Sequence, residues 1–239
     1  MNDPRPEPAK RFYQSVDVAA REHGFTVTLD GRELRTPLKR PIALKKPIAD
    51  ALAGEWDAQK DVILPLTMPL TRLINTAIDG VADAKEDVRS AIAAFAAHDL
   101  VLYRAEHPQG LVDRQAELWD PVVTNVSQRF GLPLMSTAGI MPVAQDPRWP
   151  AAVAAALPDD PLSLAAMHQL TTITGSVFLS LLHRARDMDF DALMDAAHLD
   201  EDWNIAEWGA DEEAMARRAL RREDASASSK VLLPEPPPS

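Results

Sequence analysis

EWDAQKDVILPLTMPLTRLINTAID, residues 55–79, carries no catalytic motif, yet its reading decides the architecture. A Trp-bearing helical segment leads into the proline-bounded turns of PLTMPL, and a second helical segment follows. Proline fixes φ and disfavours helix at the residue before it, so such a joint can hold a stiff angle. The sequence upstream alternates like strands and the sequence downstream has helical periods. The joint therefore reads as the passage between two domains. The expected class is α+β: a small strand-rich N-terminal domain over residues 1–68, a larger all-helical C-terminal domain over 69–224, and a disordered tail over 225–239.

Upstream, RFYQSVDVAA and GFTVTLDGRELRTP alternate apolar and polar residues, with Phe25, Val27 and Leu29 on one face. Asp30-Gly31 is a strong hairpin signal. Prolines 37, 41 and 47 punctuate the region, so PIALKK is at best a short edge strand. Pro47 suits the first turn of a helix whose residues Ile48, Leu52 and Trp56 keep helical spacing.

Downstream, the spacing predicts helices over 70–79, 83–104 and a short one within DPRWPAAVAAAL, residues 146–157. Pro121 should divide the segment after Pro108 into two helices, with Asp120 capping the second. Asp160-Pro161 repeats the pattern of a cap followed by proline and opens a helix running to about Arg186. Further helices are expected over 190–197 and 202–222. The small, polar, Pro-rich end, ASASSKVLLPEPPPS, suggests disorder or loose docking.

Composition narrows the function. The chain has 239 residues, 46% apolar and 26% charged, enough for a sizeable core. It has no cysteine, which removes disulfides and thiolate metal sites and suits a reducing compartment. No apolar run is long enough to span a bilayer, and the N-terminal MNDPRPEPAKR is neither a secretory signal nor a transit peptide. The expected location is the cytoplasm. Net charge is −11, although residues 1–50 carry ten Lys and Arg against seven acids. So acidic a chain makes a poor nucleic-acid binder, because phosphate contacts need a dense cationic face. The basic cluster from Arg32 to Lys46 reads as solvated surface before it reads as a site for an acidic partner.

Few residues point to chemistry. Val88, Ala91, Ile92, Phe95, Leu102 and Tyr103 share one helical stripe, and Asp99 falls in its middle. A carboxylate there must be paired or hydrogen-bonded, or it neutralises. A tie that locks helix packing is favoured over a catalytic or partner-binding carboxylate. Gln115 lies similarly among Leu111, Leu118, Trp119, Val122 and Val126, which suggests a shared buried network. His98, Asp99, Glu106, His107 and Asp113 do not follow a metal-ligand spacing, and neither HExxH nor GxSxG occurs. With nine glycines in all, no phosphate-binding loop is credible, so no cofactor or metal is expected. Between Asp200 and Glu213 stand seven acids and no base, interrupted by Trp203 and Trp208, and four arginines follow. Acids early and bases late match a helix macrodipole. Tryptophan beside carboxylates also suits a protein-binding surface.

Five strings in order, KRFYQSVDVA, LDGRELRTP, EWDAQ with MPLTRLINTAID, DLVLYRAEHPQGLVDRQAELWDP and DEDWNIAEWGADEEA, resemble the Atp-twelve family over roughly residues 10–222. The resemblance implies a two-part fold and a non-catalytic assembly chaperone. Such a protein binds the free alpha subunit of the ATP synthase catalytic head and shields its interface until the beta subunit replaces it. The family-like positions are Glu55, Trp56, Pro69 and Arg72 at the joint, and Asp99, Tyr103, Arg104, Arg114, Gln115, Trp119, Asp120 and Pro121 in the helical part. These are expected to hold the fold. Trp203, Glu207, Trp208, Asp211, Glu212 and Glu213 are the expected partner contacts. The mitochondrial relatives work in the matrix behind a presequence. This chain shows none, which points to a bacterial cytoplasm, and a monomer is expected. Two competing readings are a small hydrolase or metal enzyme on Asp99, His98 and His107, and a general interaction scaffold using the Trp and acid segment.

Overall fold

The Asp-Gly pair turns as the sequence predicts. In the computed structural model, which describes residues 9–139 and 141–233, strands β1 (Val16–Arg21), β2 (Gly24–Leu29) and β3 (Arg32–Glu33) form an antiparallel sheet in that order. Leu29 pairs with Arg32 across a two-residue loop in which Asp30 and Gly31 have φ of 48° and 76°. Positive φ at both central residues gives the twist that matches adjoining strands. The Asp30 carboxylate accepts the N–H groups of Gln14 and Ser15 and ties the approach to β1 over the turn. Val27 and Leu29 are buried as expected, but so are Thr26 and Thr28, so β2 is covered on both faces. At Gly24 (φ 134°) a Cβ would stand 2.6 Å from the Leu44 carbonyl, which pairs with Phe25.

Helix α1 (Lys46–Asp57) has Pro47 in its first turn and packs Ile48, Ala49 and Leu52 against β1 and β2. The PLTMPL joint then departs from its expected role. Pro65–Thr67 is one 3-10 turn, α2 (Pro69–Asp79) follows, and α2 packs back on α1. The chain divides into two units between Asp83 and Ala84, not at residue 68. Side chains from both directions bind α2 into the first unit. The Glu55 carboxylate accepts the N–H groups of Leu70 (2.6 Å) and Thr71 (2.8 Å) at its start. At its end, Asp79 accepts from the Thr36 hydroxyl and the Leu38 N–H. The prolines thus set the angle between α1 and α2.

In the second unit α3 (Lys85–Ala94) stops a full turn before Asp99, where one long helix was expected. Two 3-10 turns, Phe95–Ala97 and Leu100–Leu102, lead into β4 (Tyr103–Arg104), which pairs in parallel with β5 (Thr137–Ala138). Helix α4 (Gln109–Phe130) runs unbroken through Pro121, so Asp120 caps nothing. One missing N–H is tolerated because Trp119, Val122 and Val126 are buried on both sides of it. Then follow α5 (Trp149–Ala156), α6 (Pro161–Thr174), α7 (Val177–Arg184), α8 (Phe190–Ala197), α9 (Leu199–Trp208) and α10 (Glu212–Leu232). Asp160 caps α6 as predicted, accepting from the Ser163 N–H. The single helices expected over 160–186 and 202–222 are each two, broken at Gly175 (φ 67°) and Gly209 (φ 88°). Trp149 meets Phe178 edge-on at 5.1 Å in the core.

The expected tail is largely helix. Residues 225–232 continue α10, with Ala225, Ala227, Ser228 and Val231 buried and the helix laid along α6. The Ser228 hydroxyl bonds Gln169, and the Ser229 hydroxyl meets His183 Nε2 at 2.8 Å. The remainder of that expectation, residues 234–239, lies outside the described residues. Among the described residues no helix is long and apolar enough to cross a membrane.

Replacing Glu55 with Ala removes a charged acceptor from two peptide N–H groups and should cost the first unit about 2 kcal/mol. Glu55→Gln, which keeps one oxygen, should cost less. Urea midpoints of the two variants check the order.

Candidate functional site

The family-like residues fall into three groups, and the first two are internal ties. At the joint, Glu55 caps α2, and the Tyr13 hydroxyl donates to the Trp56 carbonyl at 2.6 Å. Arg72 donates back to the Pro65 carbonyl across the 3-10 turn. Gln59 is buried and spans the loop, accepting from the Leu64 N–H while donating to the Glu55 carbonyl and the Thr67 hydroxyl.

In the second unit Asp99 is fully buried. One oxygen accepts the N–H groups of Val177 (2.7 Å) and Phe178 (3.2 Å), the first peptide donors of α7. The other accepts from Val101, and the Ser176 hydroxyl adds a further bond. Burial outweighs these donors and pushes the carboxyl up to about 7. Arg104 donates to the carbonyls of Val101 and Gln115, pairs with Asp120 at 3.0 Å and lies over the Trp119 ring. The shared network expected around Gln115 exists, but its members are not those expected. Gln115 accepts from the Ala105 N–H and donates to Asp200 on α9 at 2.7 Å. Trp119 donates to the Ala196 carbonyl at the end of α8. Tyr103 meets His98, and Arg114 pairs with Glu117 on the exposed side of α4.

This network positions α9, and α9 sorts its two tryptophans. They are five residues apart, so at roughly 100° per residue they point to different faces. Trp203 turns inward onto Gly110, where a Cβ would stand 2.7 Å from its ring. Trp208 turns outward and is 86% exposed. Asp202 pairs with Arg218 and Glu201 with Arg221 at 3.6 Å, so the later arginines reach back to the earlier helix and hold α9 beside α10. Gly209 turns the chain between them, and Asp211 caps α10 by accepting from the Ala214 N–H at 2.8 Å.

Between the two helices lies a cleft of about 430 Å³, lined by Glu201, Asn204, Ile205, Trp208, Asp211 and Met215, with Gly209 and Ala214 completing it. Glu201, Asn204, Ile205 and Trp208 form an i, i+3, i+4, i+7 stripe. That spacing is legible in the sequence, although the run of acids and tryptophans masks Asn204, Ile205 and Met215. Glu207, Glu212 and Glu213 are exposed but do not line the cleft, and Glu213 pairs with Arg217.

The enzyme reading finds little geometry to build on. His98 and His107 are exposed while Asp99 is walled in with its oxygens occupied by peptide donors. Among the described residues no three His, Asp or Glu side chains gather closely enough to hold a metal.

Known proteins share this fold. Residues 10–127 match the family of the ATP12 chaperone protein. A solved structure of a proposed chaperone from Agrobacterium tumefaciens is 44% identical, with 93% of this chain and 85% of that one covered and a TM-score of 0.88. Atp12 from Paracoccus denitrificans is 38% identical over 94% of this chain and 97% of that one, with a TM-score of 0.85. An aspartate-to-lysine mutant of that Paracoccus protein superposes with a TM-score of 0.83. Such likeness over nearly the whole length defines a chaperone. The chain belongs to the ATP12 chaperone family.

Asp99 gives a pH signature. Its folded-state pKa lies above the unfolded value, so its contribution to stability is fully present below the ordinary carboxylate range and is lost as pH rises towards 7. Asp99→Asn should remove that slope, so its deficit against wild type should be larger at pH 5 than at pH 8. Asp99→Ala, which orphans buried N–H groups, should be the more damaging by about 1–3 kcal/mol. Denaturant titrations at the two pH values test both statements.

Proposed function

We propose that this chain is a non-catalytic chaperone of ATP synthase assembly. It binds the free alpha subunit of the catalytic head, shields the subunit's interface in the bacterial cytoplasm, and gives way to the beta subunit. The observation that carries the reading is the likeness to Paracoccus denitrificans Atp12 across 94% of the chain. The physics agrees with it. An unassembled subunit exposes an apolar surface that invites aggregation, and a holder needs complementary shape and releasable affinity rather than reacting groups. The surface suited to contact is the one headed by Trp208 with Glu207, Asp211, Glu212 and Glu213 around it, while Trp203 sets the position of α9 from within. An acidic chain of net charge −11 favours a client with basic parts.

The test is light scattering by unpartnered alpha subunit. A several-fold excess of the chaperone should suppress it, and added beta subunit should release the chaperone. Persistent scattering at that excess would overturn the proposal. Truncating the chain after Leu199 would not serve as a control, because Ala225–Val231 belong to the core; point substitutions at exposed positions are needed.

A further inference from the structure

We propose that the α9–α10 cleft takes one segment of the client, a bulky apolar side chain flanked by lysine or arginine. The inference rests on the reading of this chain as a client-holding chaperone and adds the chemistry that is recognised.

The cleft has an apolar floor and an acidic rim. Ile205, Trp208, Ala214 and Met215 supply the floor. Trp208 is 86% exposed and Met215 is 39% exposed. Tryptophan is the side chain most often found at the energetic centre of an interface, once a partner removes it from water. At about 430 Å³ the cleft lies towards the small end of ligand sites, so it has room for one or two side chains.

The rim selects by charge. Several acids of the segment are already engaged: Asp200 by Gln115, Glu201 and Asp202 by arginines of α10, Asp211 by the α10 cap and Glu213 by Arg217. Glu201 and Asp211 line the cleft, and outside it Glu207 and Glu212, next in sequence to the lining residues Trp208 and Asp211, have no ion pair among the described residues. An acidic segment would meet the lining carboxylates of Glu201 and Asp211 and the nearby Glu207 and Glu212 as like charges, and a neutral one would desolvate the lining pair without return. A lysine or arginine next to the apolar anchor answers both. A second copy of this chain is the poorer occupant, since two molecules of charge −11 repel. The walls keep their geometry without a ligand, because the ion pairs between α9 and α10 and the Asp211 cap already hold them. A preformed cleft loses little entropy on binding.

The experiment has two arms. In the first, intact alpha subunit is titrated onto the full chain, onto Trp208→Ser and onto the double variant Glu207→Lys with Glu212→Lys. Circular dichroism confirms that the exposed substitutions leave the helices intact. Wild type should bind, and each variant should bind about tenfold more weakly or worse. Added salt should slow association of wild type and have much less effect on the double variant. In the second arm, short synthetic peptides carry one leucine or phenylalanine flanked by lysines, the same anchor flanked by glutamates, or a serine flanked by lysines. Acrylamide quenching of Trp208, with Trp208→Phe as the blank, should show protection by the first peptide and not by the others.

If wild type binds the subunit and both variants bind it equally well, the cleft is not the contact, while the chaperone reading stands. If wild type does not bind the subunit at all, the chaperone reading falls and takes this inference with it. Protection by the glutamate-flanked peptide as strong as by the lysine-flanked one would overturn the charge selection.

Discussion

A helix leaves its first peptide N–H groups and its last carbonyls without partners, and this fold is organised around meeting them from a distance. Glu55 reaches from the end of α1 to the start of α2, and Asp99 reaches from the loop after α3 to the start of α7. Arg89 donates to the carbonyls of Ala154, Leu157 and Pro158 at the end of α5, and Arg11 does the same for Asp57, the last residue of α1, and for Gln59 just past it. A cap from the neighbouring residue would only stop a helix. A cap from another element also fixes where that element crosses, because a buried peptide group left alone costs about as much as a hydrogen bond gains. That is why Glu55 and Asp99 are charged and yet turned inward.

The same logic carries outward to the exposed cleft. Gln115 and Trp119 project from α4 to Asp200 and Ala196 and so fix the junction of α8 and α9. With Trp203 seated on Gly110, the opposite face of α9 is left to water, and Trp208 is on it. Buried polar contacts thus determine which apolar side chain remains outside. The proposed client contact requires that outcome, an apolar side chain left outside a unit that stays folded.

Much of this was readable in the sequence wherever a local rule decides. Asp30-Gly31 specifies its turn, Pro47 and Asp160-Pro161 mark helix starts, and 190–197 is a helix with the bounds its periodicity gives. Tertiary partners decided the rest. The break before Asp99 has no local signal, because its reason is the start of α7 far along the chain. Pro121 carries a strong local signal that packing overrides. The prolines of PLTMPL announce a sharp angle but not what lies on either side of it. Ala225, Ala227 and Ser228 look like a tail by composition, yet their small size is what lets α10 lie close along α6. In the site, the tryptophans and acids were visible from the start. That one tryptophan is a wedge and the other a flag depends on five residues of helical rotation, which composition conceals.

The burial of α10 against α6 also has a temporal side. During synthesis α6 emerges long before Val231 exists, and until α10 arrives the groove that receives Ala225, Ala227 and Val231 is open. A nascent chain still held by the ribosome at that stage has neither a closed second unit nor its α9–α10 pair in place. The second unit therefore closes only after translation has passed Val231, and a copy that stops short of α10 has neither a closed core nor the α9–α10 cleft.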